Sequence, residues 1–194
     1  MPFIALLADA PTPDSHRWRI HADLQPLQLQ INPTPMYEST QLHLAIPGSS
    51  ASLGLGFAPH RMLLVGTRLS ASFARNASRA WDYWRNEGSV GLFPYLEVRP
   101  LPHLRVQPFV LAEGGVNYGL HRDSGPYPTG VLTHVISPRV NGRVGMHAFV
   151  LPRVSIDADV GFGHSWMFVA GAGQSHLSTT QWLVTGTIGV SGWF

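Results

Sequence analysis

From Ser52 to the end of the chain, apolar and polar positions alternate with a period of two, as in strands whose two faces meet different surroundings. The final segment shows this most plainly. Trp182, Val184, Ile188, Val190 and Phe194 share one face, with Gln181, Thr185, Thr187, Gly189 and Ser191 on the other. Val154, Ile156, Ala158, Val160 and Phe162 alternate with Ser155, Asp157, Asp159 and Gly161, and Val140, Val144, Met146, Ala148 and Val150 alternate with Asn141, Arg143, Gly145, His147 and Phe149. The pattern continues through Val106–Asn117, Val90–Arg99, Leu63–Phe73 and Leu53–Phe57, and it reappears near the start, where Trp18, Ile20, Ala22 and Leu24 alternate with Arg17, Arg19, His21, Asp23 and Gln25. These segments predict eight strands. Between Pro26 and Ser50 the apolar parity changes, at Leu27, Leu29 and Ile31 and again at Leu42, Leu44 and Ile46. That stretch reads as strand ends past bulges at Pro26 and Pro47-Gly48, or as a protruding hairpin.

The connections sort by length. Short turns are expected at Ala58-Pro59-His60, Pro100-Leu101-Pro102-His103 and Leu151-Pro152-Arg153, and long polar loops over 74–87, 119–138 and 170–179. Short turns at one end and long loops at the other are the arrangement of transmembrane barrels. The predicted fold is an all-β, eight-stranded antiparallel up-and-down transmembrane barrel over residues 16–194, preceded by a tail over residues 1–15. Phe3–Leu7 followed by Ala8-Asp9-Ala10 reads either as the remnant of an export signal or as an ordinary apolar N-terminus.

Composition decides which face is inside. Only 12% of the 194 residues are charged, about half the usual share for a globular domain, while 44% are hydrophobic. The polar face is rich in Gly, Ser and Thr, which suits the crowded interior of an eight-stranded barrel better than a water-facing surface. Its charges also fall into pairs. A turn centred on Pro152 sets His147 opposite Asp157 and Arg143 diagonal to Asp159, and a turn centred on Leu101 sets Glu97 opposite Arg105. With Arg68, these seven residues form the expected lumen charge network. Large aromatics at segment ends (Phe57, Phe73, Tyr118, Trp166, Phe168, Trp182, Trp193 and Phe194) match interfacial girdles. No apolar run is long enough for a transmembrane helix. All thirteen basic residues are Arg and scattered, which argues against nucleic acid. The all-Arg usage fits either a GC-rich genome or a preference for planar paired cations in a confined space.

On these residues the chain resembles the small OmpA/OmpX-like eight-stranded barrels of bacterial outer membranes. The most specific piece is Thr180–Phe194, an alternating final strand ending on an aromatic residue. The resemblance implies an outer-membrane location and recognition of Phe194, with Val190, Ile188 and Trp182 on the same face, by the barrel-assembly machinery. It implies a structural or surface-interaction role among outer-membrane lipid, with an extracellular ligand meeting loops 74–87 and 119–138. A lipid A-modifying enzyme and a narrow channel are the alternatives.

No catalytic residue, metal site or cofactor is expected. The ten histidines lack close ligand spacing, and cysteine is absent. Asp14-Ser15-His16 sits in a Pro-bounded tail, and no G-x-S-x-G elbow exists. Phe93, Tyr95, Phe109 and Phe149 on the lumen face argue for a plug. The small residues Gly54, Gly56 and Gly66 leave either a narrow conduit or room for Arg68.

Overall fold

A computed structural model describes residues 17–32, 39–44, 50–78, 83–124, 132–171 and 174–194. The expected N-terminal tail, including Asp14-Ser15-His16, lies outside the described residues. The strands are β1 (Trp18–Asn32), β2 (Ser39–Leu44), β3 (Ser50–His60), β4 (Leu63–Ser78), β5 (Tyr83–Val98), β6 (Val106–Ser124), β7 (Leu132–Leu151), β8 (Val154–Gly171) and β9 (Gln174–Trp193). Each pairs antiparallel with its neighbour, and β1 also pairs with β9, closing the sheet into a barrel. The two ends of the wall are tied by reciprocal bonds between Trp18 and Phe194, at 3.0 and 2.9 Å.

Nine strands make eight staves. β1 pairs with β3 from Trp18–Phe57 to Leu24–Ala51, then with β2 from Leu27–Leu44 to Asn32–Ser39, so β2 and β3 follow one another along a single stave. The parity change at Pro26 has a bulge as its cause. Leu24 faces Ile188 and Leu27 faces Gly186, so Gln25 and Pro26 oppose Thr187 alone. Proline cannot donate to the ladder, and a bulge is where its missing N–H costs least.

The barrel is inverted relative to a soluble one. Leu53 (63% exposed), Val144 (60%), Leu69, Val160 and Ile188 point outward, while Glu97, Gln107, Ser155 and Ser191 are fully buried. In water this apolar exterior would far exceed the few hundred Å² that monomeric proteins tolerate, whereas in lipid it is the favourable surface. Aromatic rings mark both borders. Trp18 and Phe57 (ring centroids 5.0 Å apart) lie with Phe194 at the turn end. Toward the loop end are Phe73, Tyr118, Phe168 and the trio Trp166, His164 and Trp182, whose His164 ring is 4.5 Å from each indole. From Val154 to Trp166 along β8 is twelve residue steps, about 29–31 Å of height for a strand tilted near 40°, somewhat more than the ~25 Å apolar band of such barrels. Trp193 departs from the expected girdle. It is fully buried inside the lumen, as its place on the polar parity requires.

The long loops are shorter than the sequence pattern suggested. At the end where Trp18 meets Phe194, the chain turns at 61–62, 99–105 and 152–153. Most of 74–87, 119–138 and 170–179 is strand. With up to 20 residues each, the strands run well beyond the ~9–11 needed to cross lipid. Once a strand leaves lipid its outer face needs no apolar residues, so the alternation fades before the strand ends.

Candidate functional site

The interior is built in three levels. The first is a floor near the turn end, where Ala58, Leu64, Tyr95, Phe109, Leu111, Phe149 and Trp193 form a buried apolar cluster. The Trp193 indole donates to Ser155 Oγ (3.1 Å), Ser155 donates to Asp157 (2.8 Å), and Ser191 donates to the other Asp157 oxygen. His147 bridges two carboxylates, with Nδ1 2.8 Å from Asp157 and Nε2 3.0 Å from Glu97. Phe109 stacks on its ring at 4.4 Å. From β1, Arg19 donates to Glu97 Oε2 at 2.7 Å, and Arg99 lies over the Trp193 ring at 4.8 Å. Four strands, β1, β5, β7 and β8, are thus laced together by buried side chains.

The second level is a ring of ion pairs. Arg68 donates to Glu113 and lies 3.8 Å from Asp23. Arg143 bonds Asp159 (2.9 Å) and lies 3.3 Å from Glu113, which also accepts from Asn141 at 2.6 Å. Burial makes such pairing obligatory, because a lone charge here would forfeit its hydration with nothing in return.

Above this ring the lumen widens into a cup of about 640 Å³. Its base includes Arg68, Arg143, Thr187 and Phe93, and its sides are mainly hydroxyl and amide groups, among them Ser70, Ser137, Ser165 and Asn117.

The structure therefore brings together Arg68, Glu97, Arg143, His147, Asp157 and Asp159 within the lumen. It does not bring Arg105 there. Glu97 faces Leu111, and Arg105 is exposed in the turn, its Nε donating to the Phe149 carbonyl at 2.9 Å. The reason is a longer turn. Pro100 and Pro102 cannot ladder, Gln107 bonds the Pro102 carbonyl at 2.6 Å, and pairing resumes only at Val98–Val110. Arg19, Asp23, Arg99 and Glu113 are network members that hairpin reasoning missed. All four lie on the polar parity, but contacts such as Arg19–Glu97 and Glu113–Arg68 join strands that are not sequence neighbours. The glycine arc is occupied by inward side chains other than Arg68. A Cβ at Gly54 would overlap the His21 ring, and Cβ atoms at Gly56 and Gly66 would meet the Tyr95 hydroxyl. Those glycines make room for inward side chains. Among the described residues, no group of three or more His, Cys, Asp or Glu side chains is placed to hold a metal ion.

An apolar belt between aromatic borders and a charge-paired interior define this closed sheet as a transmembrane β-barrel of the outer-membrane type. Solved structures agree. The chain is similar to neisserial surface protein A (TM-score 0.57, 14% identity, covering 91% of this chain and 97% of that one). It is similar to Ail, the attachment invasion locus protein of Yersinia pestis (0.57, 9% identity, 92% and 99%), and to a major outer membrane protein from Thermus thermophilus (0.57, 11% identity, 93% and 100%). No family model matches the chain, and no curated protein matches it by sequence. Fold and inverted polarity together place the protein in a bacterial outer membrane.

Proposed function

We propose that this protein is a non-conducting outer-membrane barrel with a structural and surface-interaction role, its turn end in the periplasm and its long strands projecting a polar cup outward. The observation that carries this reading is the floor. The Glu97–His147–Asp157 lacing with Arg19, set against the buried Trp193, joins β1, β5, β7 and β8 through buried side chains. An eight-stranded barrel has room only for side chains there, and these are pinned by pairs whose separation would strand buried charges. No catalytic role is assigned to His147, Asp157 and Ser155, because all three are buried and held in the floor's own hydrogen bonds. Assembly proceeds through recognition of the last strand, with Phe194, Val190, Ile188 and Trp182 on its outward face.

The test is conductance in planar bilayers. The wild type is expected to insert without discrete channels. Trp193→Ala combined with His147→Ala, which removes both the ring and the bridge, is expected to open small cation- and anion-permeable events. Steady channels in the wild type would refute the closed floor and favour a narrow pore.

A further inference from the structure

The cup above the ion-pair ring has a pair of donors left unanswered. Asp23 accepts from Ser52 at 3.2 Å and faces Arg68, while Glu113 is shared by Arg68, Arg143 and Asn141. Arg143 is also held by Asp159 and Thr187. Arg139 lines the same cavity, yet its one bond is from Nε to Asn141 Oδ1, at 2.9 Å. Its two terminal nitrogens, the fork that binds carboxylates in bidentate fashion, have no partner among the described residues.

The surroundings of that fork are polar in a specific way. Ser165 lies directly across from Arg139 on β8, its hydroxyl donating to the Pro138 carbonyl at 3.3 Å. Ser137 lies two residues along the same face of β7 and pairs with Asn117 of β6. The Asn117 amide donates to Ser89 at 3.2 Å, and its buried Oδ1 has no donor. A Cβ at Gly91 would strike that oxygen, so the glycine is what lets the amide sit there. Free donors for an anion therefore stand beside an unanswered acceptor for a hydroxyl. A hydroxyl, which both donates and accepts, answers that site in either orientation of the amide.

We propose that the cup binds a small polyhydroxylated monocarboxylate, such as a sugar acid, with its carboxylate on the Arg139 fork and the Ser137 hydroxyl, and a ligand hydroxyl on Asn117. The inference rests on the reading of an outward-facing cup above a closed floor. A cavity of about 640 Å³ suits a ligand of that size, small-molecule sites spanning ~300–1,000 Å³. A cation is disfavoured, because Asp23 and Glu113 are already engaged by arginine and Glu87, the third acid of the lining, has an interaction of its own.

The experiment is calorimetric titration of the whole protein, refolded in detergent micelles, with D-gluconate as the probe and sorbitol and acetate as the two partial probes. Gluconate is expected to bind, and each partial probe to bind more weakly by roughly tenfold or more, since each lacks one half of the recognition. Arg139→Gln is expected to weaken gluconate by roughly tenfold to a hundredfold while leaving heat-modifiable mobility unchanged. Asn117→Ala, a second variant outside the ion pairs, is expected to weaken gluconate but leave acetate as it was. Absence of gluconate binding at millimolar concentration, or equal binding by wild type and Arg139→Gln, overturns the proposal. Conductance recorded on the same preparation separates the two readings. A conducting wild type that still shows Arg139-dependent binding overturns the closed floor alone, and a non-conducting wild type without binding overturns the ligand alone.

Discussion

Replacing Glu97 by alanine tests whether the floor is held by charge. Glu97 is fully buried, accepts from Arg19 at 2.7 Å and lies 3.0 Å from His147 Nε2 and 3.8 Å from Arg99 Nε. Without the carboxylate, Arg19 keeps its fork inside the lumen with His147 Nε2 3.2 Å away and no acid in contact. Breaking a buried pair by deleting one partner costs about 3–5 kcal/mol, against ~0.2–1 for an exposed one. At a urea dependence of ~1–3 kcal/mol/M, the unfolding midpoint falls by roughly 1 M or more. The assay is reversible urea unfolding in phospholipid vesicles, followed by tryptophan fluorescence and checked by gel mobility without boiling. Arg105→Ala is the internal control. It removes one side chain–backbone bond from an exposed turn residue and is expected to cost about 0.5–1.5 kcal/mol. The double variant Arg19→Met with Glu97→Met is expected to recover part of the loss, because it removes the unpaired Arg19 charge while Arg99 still lacks its acid. A Glu97→Ala protein within about 1 kcal/mol of wild type would refute the reasoning and mean that water reaches the floor.

Three further outcomes are expected. Deleting Phe194 lowers the yield of folded protein in the outer membrane of intact cells, scored as the heat-modifiable fraction, while refolding of the purified chain into detergent stays within twofold or so, because only recognition is lost. Val144→Arg, on the lipid face near mid-height, destabilises the barrel by about 2–4 kcal/mol in vesicle urea titrations; the same change at Val154, beside the turn-end border, costs ~0–1. Arg143→Lys loses about 1.5–3 kcal/mol despite keeping the charge, since an ammonium cannot reach Asp159, Thr187 and Glu113 together, and an unchanged midpoint would count against the fork.

Much of this architecture is legible in residue order because two signals coincide. Period two marks the strands, and charge restricted to one parity marks the lumen. The His147–Asp157 pairing follows from a tight turn at Pro152-Arg153, and the observed shift between Phe149 and Leu151 leaves it intact. The Glu97–Arg105 expectation fails because two prolines lengthen a turn whose apex the sequence does not mark. Trp193 was placed by residue type among girdle aromatics, although its parity already pointed inward. Contacts such as Arg19–Glu97 and Arg68–Glu113, separated by 78 and 45 residues, depend on barrel closure and stagger, which no local pattern encodes.

The all-arginine usage divides along the same line. Inside the lumen three guanidinium groups each serve several strands at once. Arg19 of β1 reaches β5 and β7, Arg68 of β4 reaches β1 and β6, and Arg143 of β7 reaches β6, β8 and β9. A planar fork with five donors can hold such positions, and a single ammonium cannot hold them without leaving an acid unanswered. Outside the lumen the requirement vanishes. Arg17, Arg61, Arg105 and Arg153 are exposed, and nothing around them demands arginine over lysine. Confinement therefore accounts for the arginines of the interior, while composition of the genome is left to account for those of the turns.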